Sequence, residues 1–213
     1  MNPYVLAFLG LFGTSEPSPP PTCPSSGTEV VVKATTPGST VDSTQPRSVI
    51  AGMMKAAPYE GFAMQGLTVL DFSSSFRLQV TLSQIAPGRW CASAERIEAS
   101  FGLTGPARIL IAREIDPRSC QYRTVLAHER QHVSVGERNA RDGALAMRRK
   151  LEELAAGRFP VEASTKDAAY DRASAMVEKA VSEVSAVYVE RADRQNMAMD
   201  TVESYRRLSA KCG

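Results

Sequence analysis

The hydrophobic period of the chain changes sharply near residue 116. From Phe62 to Ile115 apolar residues recur every second position. Phe76, Leu78, Val80 and Leu82 alternate with Arg77, Gln79, Thr81 and Ser83, the pattern of a half-buried antiparallel strand. From Pro117 onward the spacing is helical. Leu126, Val133, Ala140, Met147 and Leu154 recur every seven residues and mark one buried stripe of a long helix. Strands followed by helices predict an α+β fold, with a sheet part over 28–115 and a helical part over 116–213.

The sheet part divides at its turn residues. The β-branched run in Thr28–Lys33 reads as a strand. Pro46 suits the first position of a helix that runs to about Ala57 and stops before Pro58. Leu67–Phe72 and the alternating run after it are separated by Ser73–Ser75, expected as a turn. Pro87-Gly88 marks the next turn, followed by strands over Trp90–Phe101 and Ala107–Ile115. The expectation is a small sheet of four or five strands, mostly antiparallel. Asp116 and Pro117 form a helix start, and Gly157 with Pro160 a stop. A second helical segment from Ser164 towards Leu208 carries Ala173, Val177, Ala180, Val184 and Val187 as its stripe. The two helices form a long hairpin.

Residues 1–27 stand apart from the single domain expected over 28–213. Tyr4–Gly13 is an apolar run, too short to span a bilayer and suited to a signal-peptide core or to membrane proximity. Five prolines within residues 17–24 make a stiff linker. An apolar leader, a spacer and a folded domain point to a secreted or periplasmic protein. Four cysteines without a CxxC pair fit two disulfides, and the expected pairing is Cys91 with Cys120 and Cys23 with Cys212. A net charge of +2 leaves no overall footprint for nucleic acid.

Only two histidines occur in 213 residues, and both lie in His128-Glu129-Arg130-Gln131-His132. This is HExxH. Two histidines scattered at random would give that layout roughly one time in 1000. On a helix, residues four apart share a face, so His128 and His132 can take two corners of a zinc tetrahedron. Glu129 is then placed as a general base toward a metal-activated water. The third ligand cannot be a histidine. Along the same helix, Glu137 points about half a turn away and Asp142 sits roughly 21 Å along the axis. A carboxylate on the second helical segment must supply it, and the candidates are Glu183, Glu190, Asp193, Asp200 and Glu203.

With these pieces the chain resembles a bacterial family of proteins described as predicted secreted zinc-dependent proteases. The resemblance covers roughly residues 28–210. It rests on the strands around Cys91, the strand Ile109–Ile115, the segment Ser119-Cys120-Gln121-Tyr122 and the HExxH helix. Members typically end with Tyr-Asp-x-x-Thr-x-His-Gly on a later helix. The comparable stretch here is Met199-Asp200-Thr201-Val202-Glu203-Ser204-Tyr205-Arg206. The aspartate matches at Asp200, while Glu203 replaces the threonine and Tyr205 the histidine. The resemblance implies peptidase chemistry on a peptide or protein substrate. It makes Glu203 the first expectation for the third ligand and Asp200 the second. Asp200 could instead orient a metal-bound histidine, and Tyr205 could polarise a substrate carbonyl.

Other features read as scaffold. Trp90 anchors the sheet, and Arg138, Arg141, Arg148, Arg149 and Lys150 read as a solvated helix face balanced by Glu137, Glu152 and Glu153. The rival to a zinc-dependent peptidase is a non-catalytic envelope protein whose HExxH is a structural or vestigial metal site. Substrate strands often pair along a sheet edge in such enzymes, and the strand from Ala107 is the expected edge.

Overall fold

The computed structural model describes residues 21–24, 27–53 and 65–212. The apolar run Tyr4–Gly13, the first half of the proline-rich stretch and the expected helix end near Ala57 lie outside them. Within them the architecture is α+β. Seven strands run β1 Glu29–Thr35, β2 Ser39–Asp42, β3 Gly66–Val69, β4 Phe72–Ala86, β5 Arg89–Leu103, β6 Ala107–Ile111 and β7 Val161–Ala163. Four helices run α1 Arg47–Gly52, α2 Cys120–Arg158, α3 Lys166–Met199 and α4 Val202–Ala210. Among the described residues no helix is long and apolar enough to cross a membrane.

The strands form two mixed sheets, where a single, mostly antiparallel one was expected. β4 and β5 make a long antiparallel hairpin turning at Pro87-Gly88, with Gly88 at φ +70°. β1 then joins β5 in parallel, and β7 joins the opposite end of β5 antiparallel. In the second sheet β6 is central, with β2 parallel on one side and β3 antiparallel on the other. The expected edge strand is therefore the middle one, and β3 is an edge. Ser73–Ser75 is not a turn but part of β4, where the Ser75 and Ser100 hydroxyls hydrogen-bond across the ladder at 2.9 Å.

Two cores flank α2. The first half of the helix buries Val125 and Val133 against Ile50, Ile109 and Ile111. The second half buries Met147 and Leu151 against Ile97 and Phe101 of β5 and Val177 and Val181 of α3. The seven-residue stripe thus runs along the packed face. On α3, Ala173, Val177 and Ala180 are buried as expected, but Val187 is 56% exposed. Gly143 sets how closely α2 approaches β5. A Cβ there would lie 2.3 Å from Phe101 Cε1 and 3.1 Å from Tyr188 Cγ. Gly143→Ala gains helix propensity but forces two packed aromatics to move. The expected net loss is about 1–3 kcal/mol, read as a lowered urea midpoint with an unchanged m-value.

The disulfides join Cys23 to Cys91 and Cys120 to Cys212, which corrects both expected pairings. The reason is the length of α2. Cys91 pairs in register with Glu162 of β7, just beyond the end of α2, whereas Cys120 is the first residue of that helix. A helix of 39 residues separates the two ends by roughly 58 Å. The amino-terminal stretch runs past β5, where Ser93 Oγ donates to Pro24 O at 2.7 Å, and so meets Cys91. Two disulfides and no free cysteine among the described residues are compatible with an oxidising compartment.

Candidate metal centre

The second helical segment is not continuous, and the break builds the site. α3 ends at Met199, and Asp200 leaves the helix at φ −90° and ψ 65°. Thr201 then caps α4 in a reciprocal capping box with Ser204. The kink turns Asp200 towards α2 and brings Tyr205 back over it. α4 itself has no buried residue. Its hold comes from the Cys120–Cys212 disulfide at its far end and from Tyr205 at its start.

His128 and His132 lie one turn apart on the buried side of α2, at 6% and 5% exposure. Their Nε2 atoms are 3.2 Å apart. Asp200 Oδ1 lies 2.9 Å from His128 Nε2 and 3.1 Å from His132 Nε2. Tyr205 Oη donates to the same oxygen at 3.1 Å. Three donors on one carboxylate oxygen exceed its two lone pairs, and the two Nε2 hydrogens would point at one another's space. A cation held among the three atoms removes that conflict, because both Nε2 atoms then present lone pairs. The triangle has the right size: a tetrahedron with spokes of about 2.0 Å has edges of about 3.3 Å. His128, His132 and Asp200 could therefore hold a metal ion.

Surrounding residues fix these groups. His132 Nδ1 donates to Asn196 Oδ1 at 3.1 Å, which leaves Nε2 for a ligand. Burial works against a charged Asp200, but hydrogen bonds from His128 and His132 hold its carboxyl far below the usual range. Burial likewise opposes a charged His132, yet the hydrogen bond and charge of Asp200 raise it overall.

Glu129 sits beside the triangle at 5% exposure. Thr68 of β3 donates to its Oε2 at 2.8 Å and also lies 3.0 Å from its backbone carbonyl. Burial pushes the Glu129 carboxyl up, against the opposing pull of His132, Thr68 and His128. β3 can come this close only because residue 66 is glycine. A Cβ there would lie 2.8 Å from Glu129 Oε1 and 2.7 Å from Val125 Cγ1. Glu129, His132 and Asp200 line a cavity of about 90 Å³, walled also by Gly66, Leu67, Thr68, Asn196 and Tyr205. That volume admits a few waters.

Of the expected site residues, the structure brings together His128, His132, Glu129 and Tyr205, and Asp200 stands where the third ligand was sought. Glu203 does not join them. It is 65% exposed and faces Arg207 at 4.0 Å, because the new helix begun at Thr201 carries it to solvent. Glu183 faces Lys150 and Lys179, Glu190 pairs with Arg194, and Asp193 is exposed. Three contributors were missed by sequence reasoning: Thr68, Gly66 and Asn196. Asn196 had a weak signal, four residues before Asp200 on the same helix. Thr68 and Gly66 had none, since a strand pairing places them. Comparison with protein-family models, curated proteins and solved structures finds no match to this chain.

Proposed function

We propose that this chain is a zinc-dependent peptidase of an extracytoplasmic compartment, secreted or periplasmic. One observation carries the reading: two helix-borne histidines and Asp200 converge on a common focus with the Glu129 carboxylate buried beside it. His128, His132 and Asp200 would hold the metal. Two imidazoles and one carboxylate suit zinc and leave a position open for chemistry. Zinc bound there would supply Lewis acidity to a peptide carbonyl and to water.

The chain's own residues do the rest. Glu129 accepts the proton of the attacking water at Oε1, since Oε2 is held by Thr68, and returns it to the leaving amine. Burial raises the carboxyl, which makes it a better proton acceptor than a solvated glutamate. Tyr205 can turn its hydroxyl from Asp200 to a developing oxyanion. Asn196 keeps His132 in the tautomer that presents Nε2. β3, an edge of its sheet and a wall of the cavity, is the strand along which an extended peptide would pair.

A structural metal site in a non-catalytic envelope protein is the second reading. The small cavity, with Tyr205 over Asp200, favours it. Both readings require the metal, so the first test is stoichiometry. Protein purified without chelators is expected to contain one zinc per chain. Stripping it should lower the melting temperature, and added zinc should restore it. At free zinc 1000 times Kd the stabilisation is about 4 kcal/mol. Metal-free protein that takes up no zinc would overturn both the peptidase and the structural site, and leave the HExxH motif vestigial.

A further inference from the structure

The solvent side of α2 carries a ridge of arginines. At about 100° per residue, Arg123, Arg130, Arg138, Arg141, Arg148 and Arg149 fall within one arc of about 100°. All six are exposed. They extend over roughly 39 Å of a single helix. Glu152 is the one acidic residue on the arc and pairs with Arg148 at 2.8 Å. Glu137 and Asp142 flank it, facing Arg141 at 3.6 Å and Arg191 at 3.3 Å. Arg130, Arg138 and Arg149 have no acidic partner among the described residues. The ridge holds more positive charge than the whole chain, whose net charge is +2, so the remaining surface is net acidic. Near the midline of the arc, towards its Arg149 end, stands Leu145, 59% exposed.

We propose that this ridge docks the protein on an anionic lipid bilayer. One continuous helix presents these charges along its length, which suits an extended surface of phosphates. Each guanidinium can grip a phosphate through two parallel hydrogen bonds. Leu145 adds an apolar contact at headgroup depth. The arc carries no aromatic side chain on which bases could stack, which disfavours single-stranded nucleic acid. On the same helical wheel His128 and His132 lie about 110–150° from the centre of the ridge. Docking therefore turns the candidate metal centre away from the lipid and leaves its approaches open. The proposal does not depend on any activity at that centre.

The full chain is tested by cosedimentation with phosphatidylcholine vesicles, with and without phosphatidylglycerol. Binding is expected to the anionic vesicles alone, and to fade as salt shortens the screening length. Arg130→Gln, Arg138→Gln and Arg149→Gln together should weaken partition on the order of 100-fold. Arg108→Gln, Lys166→Gln and Lys179→Gln together remove the same charge elsewhere and should leave most of the binding. Leu145→Ser should weaken it several-fold with the charge unchanged. Circular dichroism and zinc content matching wild type show that each variant is folded. Three results overturn the proposal: no binding of wild type to anionic vesicles, equal losses in the two triple variants, or retention by heparin or RNA without vesicle binding.

Discussion

Glu129→Gln is expected to lower peptide hydrolysis by two to four orders of magnitude, the usual contribution of a general base, while zinc content stays at one per chain. The substitution keeps the shape of the side chain. The glutamine amide oxygen can still accept from Thr68 Oγ1, as Oε2 does at 2.8 Å. What disappears is the ability to take a proton. The variant should fold at least as well as wild type, because a carboxyl at 5% exposure is replaced by a neutral amide. Casein or a quenched fluorescent peptide library gives the rate, and elemental analysis the metal. Activity that survives the substitution removes Glu129 from the mechanism. Wild-type protein that holds zinc but cleaves nothing in either assay supports the structural site instead. The two readings part here because only one of them needs a proton acceptor beside the metal.

The parts of this site written on one helix were legible in the sequence. His128, Glu129 and His132 need only the helical repeat to be placed. The stripe through Val133, Ala140 and Met147 showed which side of α2 would be buried. Contributions from other elements were not legible to the same degree. Asp200 and Glu203 are three residues apart, and an unbroken helix would leave both as candidates. The choice is made by the break after Met199 and the capping box at Thr201. A single kink sends one carboxylate inward, the next outward, and returns Tyr205 to the site. Strand pairing was hidden for a related reason. Alternation in β4 shows that one face is buried but not which strand lies beside it. The parallel partners β1 and β2 are joined to β5 and β6 by long connections, whose closure depends on the whole fold. The disulfides followed the same rule, since the length of α2 separates Cys91 from Cys120.

Asp200→Ala and Glu203→Ala should therefore behave very differently, though they lie three residues apart. A four-ligand zinc site has an apparent binding free energy of roughly 10–16 kcal/mol, or roughly 2.5–4 kcal/mol per ligand. Losing the Asp200 oxygen is expected to weaken zinc on the order of 100- to 1000-fold. Glu203→Ala removes an exposed group whose cationic neighbour is Arg207 at 4.0 Å, and zinc affinity should stay within about twofold, as expected for a surface pair of little energetic weight. Asn196→Ala should fall between them, about 10- to 100-fold weaker, because it frees the ring of His132 without removing a ligand. Competition against a chromophoric chelator at fixed pH measures all three. The pH must be fixed because protons compete for the same nitrogen, and His132 is raised by Asp200. In Asp200→Ala that proton is held less tightly, so proton competition sets in at lower pH than in wild type. The gap between the two proteins should accordingly narrow as pH falls. A gap independent of pH, or an equal loss in Glu203→Ala, would place the third ligand elsewhere.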